Sequence, residues 1–138
     1  MLLTIDSSVF VAAFRREETE HAVCRSFLTT VKRGAHSIVA PLTVLVEVTA
    51  AIRRRTGSEL LARRVGNELT QLEYLTFLPL SQLRARNASQ IAGRLGLRGM
   101  DAIVVAVAHE LRCPIVSLDR EILREAGSVV EVRTIDEV

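Results

Sequence analysis

Short apolar runs alternate along the chain with longer segments of helical spacing. The short runs have the length of buried strands and lie at residues 2–5, 37–40, 74–78, 114–118 and 129–132. A helix is predicted to begin after the first run, at Asp6-Ser7-Ser8. Apolar positions repeat with helical spacing over residues 20–33, 42–55, 59–73, 81–95, 100–111 and 119–126. This alternation predicts a single α/β domain over residues 1–138, with three layers (α/β/α) around a central parallel sheet.

Composition narrows the class of protein. Apolar residues make up 49% of the 138 positions, which is enough for one core, and aromatic residues make up only 4%. Nucleic-acid binding through stacked aromatic side chains is therefore not expected. The net charge is +2, and every basic residue except Lys32 is arginine. Arginine suits phosphate binding, although a GC-rich genome would produce the same bias.

The sequence does not indicate a zinc site, a disulfide framework or a membrane segment. Cys24 and Cys113 show no C-x-x-C spacing, and the three histidines match no zinc-ligand pattern. No secretory leader is recognisable, and no apolar run is long enough to span a bilayer. We therefore expect a cytoplasmic protein with no membrane segment.

Three of the four aspartates stand beside strongly apolar segments. Asp6 follows the first predicted strand, Asp119 follows the fourth, and Asp101 opens an apolar helix, whereas Asp136 lies in the tail. Each position also suits an ordinary helix cap. The carboxyl ends of parallel strands lie along one edge of a sheet, where sites form. If the two strands are neighbours, Asp6 and Asp119 converge there.

Glu47 is the one glutamate that interrupts an apolar helix. It lies between Val46 and Val48, next to the face expected to be buried, although an exposed helix position would also accommodate it. Several carboxylates in one crevice repel each other unless they take up protons or share a cation. A site built only of oxygen ligands suits Mg²⁺ or Mn²⁺.

The segments that carry these acids resemble the PIN domain, and within it the VapC-type toxins of toxin–antitoxin pairs. The resemblance covers nearly the whole chain, and the ordered set of acids is more specific than any single segment. The matching segments are Leu3-Thr4-Ile5-Asp6-Ser7-Ser8, Glu47 in the helix after Pro41, Gly99-Met100-Asp101-Ala102, and residues 113–121 (CPIVSLDRE).

The resemblance implies the sheet order 3-2-1-4-5 and a divalent-metal-dependent endoribonuclease. Asp6 and Asp101 would be the principal ligands of Mg²⁺ or Mn²⁺, with Glu47 and Asp119 completing the site directly or through water. Ser8 and Ser117 take the family's small polar positions, where they would support the acids or the phosphate, and capping is the alternative role for both.

The same resemblance implies a homodimer and a cognate antitoxin that covers the active site. The RNA backbone would also need cations near the acids. The candidates in the sequence are Arg15, Arg16, Arg53, Arg94 and Arg98, of which Arg98 is nearest to an acid along the chain.

Two other functions are compatible with the sequence. One is a PIN ribonuclease of RNA processing or quality control that has no antitoxin, and a neighbouring antitoxin gene would distinguish the two. The other is an inactive PIN-like binding module, against which the presence of all four acids argues. Phosphatase-like and receiver-like folds are disfavoured because the chain has no N-terminal acid pair and no late lysine.

Overall fold

The computed structural model describes residues 1–138 and contains one five-stranded sheet. Its strands are β1 (Leu2–Ile5), β2 (Ser37–Pro41), β3 (Leu75–Leu78), β4 (Ile115–Val116) and β5 (Val132–Arg133). Every neighbouring pair is parallel, and the order across the sheet is β3-β2-β1-β4-β5. The predicted α/β class and the order 3-2-1-4-5 are confirmed.

Seven helices flank the sheet, each close to a predicted segment. They are α1 (Ser7–Phe14), α2 (His21–Thr30), α3 (Leu42–Thr56), α4 (Glu59–Thr70), α5 (Gln82–Leu95), α6 (Gly99–Leu111) and α7 (Arg120–Glu125). The α-helical part of α2 ends three residues before the predicted limit, and a looser turn over Val31–Ala35 carries the chain on. Gly34, with φ of 93°, ends that turn in a conformation that favours glycine.

The last strand lies further along the chain than predicted, at residues 132–133 instead of 129–132. A short turn over Ala126–Ser128 follows α7, and the amides of Val129 and Val130 both donate hydrogen bonds back to Ala126 O. These amides are therefore not available to a sheet ladder. The two valines instead pack against the core as part of the turn.

The core is aliphatic, as the composition requires. The central strands bury Leu3, Ile5, Ile115 and Val116 completely. Helix α6 is buried almost all round, because it contacts the sheet through β1 and β2 and packs against α3 and α5. None of the seven helices is both long and apolar enough to cross a bilayer.

Helices α3 and α4 approach closely at Gly66, where a Cβ atom would lie 2.9 Å from Thr49 Oγ1. That hydroxyl donates to Leu45 O at 2.9 Å, so it cannot move freely. We expect Gly66→Ala to lower the free energy of unfolding by about 1–2 kcal/mol, because overpacking outweighs alanine's better helix propensity. Urea unfolding measures this change. The double variant Thr49→Ala/Gly66→Ala should be more stable than Thr49→Ala alone, because the clashing hydroxyl is absent. If Gly66→Ala lowers the free energy of unfolding equally with Thr49 and with Ala at position 49, the steric explanation is refuted.

Candidate active site

The four predicted acids come together in one cleft at the carboxyl edge of the sheet. Asp6 follows β1, and Asp119 follows its neighbour β4, so the two strand ends converge as expected. Glu47 reaches the cleft from α3, and Asp101 from the first turn of α6. All four side chains line a cavity of about 490 Å³.

Asp6 is the most deeply buried of the four, with 4% of its surface exposed. Ser8 Oγ donates a 2.6 Å hydrogen bond to Asp6 Oδ1 and accepts one from Leu118 N at 3.1 Å. Burial raises the pKa of Asp6 to about 7, although the hydroxyls of Ser8 and Ser117 oppose this rise. Ser8 and Ser117, which were predicted to support the acids, therefore both lie beside Asp6.

Asp119 serves as a helix cap and as a member of the cleft. Its Oδ1 accepts hydrogen bonds from Glu121 N at 2.8 Å and Ile122 N at 3.2 Å, which caps α7. Its Oδ2 faces Arg98 Nη2 at 3.5 Å. Asp6 makes no such capping bond to α1, so capping does not explain its position.

Asp101 and Glu47 are half-buried acids on facing helices. Asp101 Oδ2 is buried and accepts no hydrogen bond, and Arg98 Nε lies 3.5 Å away. Desolvation, followed by the charge of Asp119, raises the pKa of Asp101. Desolvation, followed by the charge of Asp101, raises the pKa of Glu47. An oxygen in this situation is stabilised by a cation.

Arg98 supplies the positive charge at the mouth of the acidic cluster. Its guanidinium lies within 3.5 Å of Asp101 and Asp119 and 3.8 Å from Glu121 Oε2, and its side chain is 72% exposed. Glu121 was not predicted as a site residue, although it stands in the first turn of α7, two positions after Asp119. With the side chains in these positions, no three acids surround a common point as a formed metal site requires.

The oxygen atoms of the cleft nevertheless fit Mg²⁺ or Mn²⁺ in their chemistry. The donors are carboxylates, which these hard cations prefer. Asp101 Oδ2 is a buried acceptor that receives no hydrogen bond, and its only charge partner is the exposed Arg98 at 3.5 Å. The exposed Arg98 is free to leave the cluster without disturbing the core.

The structure corrects most of the predicted basic positions. Of the five arginines proposed to serve the RNA backbone, Arg98 alone lines the cleft. Arg54 and Arg55 line it instead, on the face of α3 that carries Glu47. At 3.6 residues per turn, Arg53 lies roughly 120° around the helix from Glu47, whereas Arg54 lies roughly 20° away. The helical spacing could have made this distinction from the sequence.

Comparison with known proteins supports the same fold. No curated protein sequence matches the chain. Among solved structures, VapC20 of Mycobacterium tuberculosis, described as a sarcin–ricin-loop-cleaving toxin, superposes with a TM-score of 0.79 at 17% identity, over 95% of this chain and 98% of that one. DNA-bound VapBC of Salmonella typhimurium gives a TM-score of 0.68 at 15% identity (98% and 99% covered). FitAcB of Neisseria gonorrhoeae gives 0.70 at 17% identity, over all of both chains.

These sequence identities are low, so the superpositions are evidence for the fold alone. Sequence evidence for the family is independent of them, because the family model of the PIN domain matches residues 3–128. That match takes in Asp6, Glu47, Asp101 and Asp119. The resemblance seen in the sequence is thereby confirmed, and the chain belongs to the PIN domain family.

Proposed function

We propose that this protein is a divalent-metal-dependent endoribonuclease that hydrolyses RNA phosphodiester bonds, with residues 1–138 acting as one PIN domain. The observation that carries the proposal is the convergence of Asp6, Glu47, Asp101 and Asp119 in one cleft. The buried Asp101 Oδ2 adds support, because it receives no hydrogen bond and is an acceptor suited to a cation.

In this proposal Asp6 and Asp101 are the principal ligands of Mg²⁺ or Mn²⁺, and Glu47 and Asp119 complete the site directly or through water. A bound divalent cation supplies charge stabilisation of the phosphate and lowers the pKa of a water. One of these four acids accepts a proton from the attacking water.

The remaining side chains hold this arrangement. Ser8 fixes Asp6 Oδ1 and, through Leu118 N, ties the start of α1 to the segment after β4. Ser117 Oγ accepts from Asp119 N at 2.9 Å and so orients that loop. Arg98 moves from the acids to the phosphate of the substrate, since both are anions that a guanidinium binds.

We further propose that the ribonuclease is the toxin of a VapBC-type pair, acting on RNA in the cytoplasm and inhibited by a cognate antitoxin. The similar folds of VapBC and FitAB proteins support this assignment. The contacts of Arg98 with three acids show that the cleft accepts a guanidinium, which is a group an antitoxin would present. Co-purification with the product of an adjacent gene tests the proposal.

A homodimer is part of the same proposal. Exposed apolar side chains lie on α3 and near the start of α5, where a second copy would cover them; they are Leu42, Val46, Leu80 and Leu83. Sedimentation velocity measures the oligomeric state directly.

The purified protein is expected to cleave RNA in Mg²⁺ or Mn²⁺ and to lose this activity in EDTA. The physical reason is that the clustered carboxylates repel the phosphate that is cut until a cation binds between them. Gel analysis of a labelled RNA, with metal added back after EDTA, measures the effect. Undiminished cleavage in EDTA would contradict the proposed mechanism.

A further inference from the structure

The cleft has a basic wall apart from its acidic floor. Arg54 and Arg55, in the last turn of α3, line this wall, and Glu18 and Glu20 approach it from the loop between α1 and α2. Arg54, Arg55 and Arg98 are the only basic residues that line the cleft. We call Arg54 and Arg55 the arginine wall.

The charge balance of the cleft lining favours a role for this wall in binding RNA. Three arginines face six carboxylates, so a polyanion meets net negative charge there. Arg98 already lies between Asp101 and Asp119. Arg98 is assigned above to the phosphate that is cut, so the arginine wall is the basic part of the cleft lining that remains to bind another phosphate of the RNA backbone. The six acids that line the cleft are Asp6, Glu18, Glu20, Glu47, Asp101 and Asp119.

The position of the wall separates it from the reacting phosphate. Arg55 lies two turns beyond Glu47 on α3, roughly 12 Å along the helix axis. Ala51 lies between them on the same side of the helix and lines the cleft with a small side chain, so the path along the wall is open. A phosphate held by the wall is thus a different one from the phosphate that is cut.

The two arginines differ in their present partners. Arg54 forms no ion pair with any acid of the protein. Arg55 Nη1 donates to Glu18 Oε1, which also accepts from Arg15 Nη1 at 3.1 Å. If Arg55 turns to a phosphate, Glu18 keeps Arg15 as its partner. The exchange leaves no charge unpaired, and Arg55 is exposed enough to make it.

We propose that Arg54 and Arg55 bind a backbone phosphate of the RNA to one side of the cut, and that Glu18 competes with this phosphate for Arg55. The inference rests on the proposed ribonuclease function. The alternative role for these side chains is to balance the negative end of the α3 dipole. Arg53 would share that role, because it stands in the same last turn of α3. Unlike Arg54 and Arg55, however, it does not line the cleft.

Arg53→Ala is therefore the matched control, with the same change of charge on the same helix turn. Fluorescence anisotropy with a labelled 20-nucleotide single-stranded RNA of mixed sequence, in EDTA, measures binding without cleavage. We expect Arg54→Ala and Arg55→Ala each to weaken binding about tenfold and to reduce the slope of log K against log salt by about 0.7 more than Arg53→Ala does. Thermal unfolding should show equal stability of all three variants.

Two further variants test the competition. Arg55→Lys should recover part of the lost affinity, because the charge remains without the planar fork. Glu18→Gln should tighten RNA binding about two- to fivefold by releasing Arg55. In Mg²⁺, Arg54→Ala should raise KM and leave kcat within about a factor of two, since it touches a phosphate that does not react.

The outcomes separate this inference from the proposed function. If the unaltered protein binds and cleaves RNA but Arg54→Ala and Arg55→Ala behave like Arg53→Ala, the arginine wall is refuted and the ribonuclease remains. If Glu18→Gln weakens binding, the competition is refuted. If the unaltered protein neither binds nor cleaves RNA, the proposed function itself fails.

Discussion

Asp101→Asn is expected to lower the rate of RNA cleavage about 10³-fold while the protein stays folded. A divalent cation stabilises the transition state by several kcal/mol, and each 1.4 kcal/mol is a factor of ten in rate. The substitution keeps the shape of the side chain but removes the buried charge that would hold the cation. Single-turnover cleavage of a labelled RNA in Mg²⁺ measures the rate, and Asp6→Asn should give a loss of similar size.

The matched control is Asp136→Asn, which changes the one aspartate outside the cleft. Asp136 is exposed in the C-terminal turn, so this variant should cleave at the rate of the unaltered protein. Isothermal titration with Mg²⁺ provides a reading that does not depend on turnover, and Asp101→Asn should bind the ion more weakly. Cleavage by Asp101→Asn as fast as by the unaltered protein would remove Asp101 from the site.

The metal-free protein should lose stability as pH rises from about 4 to about 7, because Asp6 is buried. Its pKa is raised from the ordinary value of 3.8 to about 7, so the folded state keeps a proton in this range that the unfolded chain has released. Folding then takes up a proton, and the free energy of unfolding falls with rising pH. At about 1.4 kcal/mol per pKa unit, Asp6 contributes a loss on the order of 4 kcal/mol. Asp101 and Glu47, whose pKa values are also raised, act in the same direction.

Urea unfolding in EDTA at pH 5 and pH 8 measures this dependence. Asp6→Asn carries no charge at either pH, so it should be more stable than the unaltered protein by about 4 kcal/mol at pH 8 and by only about 2 kcal/mol at pH 5, where the unfolded chain has already released its proton but the folded protein has not. Asp136→Asn should keep the original pH dependence. A variant that gains stability while it loses cleavage would show that the inactivity of Asp6→Asn is not caused by unfolding. Equal pH dependence in Asp6→Asn and the unaltered protein would contradict the account of Asp6.

Hydrophobic pattern and chain breakers were sufficient to predict that strands alternate with helices, and the approximate position of each strand except the last. The strand after α7 was misplaced because Val129 and Val130 have the composition of a strand, while their amides bond back to Ala126. A turn of this kind depends on local backbone geometry, which a run of valines does not reveal. The order of the strands came from the family resemblance, since alternation alone allows several parallel orders.

The acids of the cleft were predictable to different degrees. Asp6 and Asp119 followed from strand ends, whereas Glu47 depended on the resemblance. The double use of Asp119, with one oxygen on the α7 amides and the other toward Arg98, was not predictable because its sequence position fits both roles. Glu18 and Glu20 were missed altogether, since the loop between α1 and α2 has no pattern that would place it at the cleft.

The hydrogen bond from Leu118 N to Ser8 Oγ joins residues 110 positions apart. This separation determines how late in synthesis the cleft can form. β1 leaves the ribosome first but is the middle strand of the sheet, and one of its edges is completed only by β4. A growing chain therefore carries Asp6 and Glu47 long before the segment that brings Asp119 beside them, and Asp101 precedes Asp119 by only 18 residues. Such distant pairings form late and slowly. Under the proposed function, a nascent chain is harmless to the messenger RNA that encodes it until residue 119 has emerged and folded.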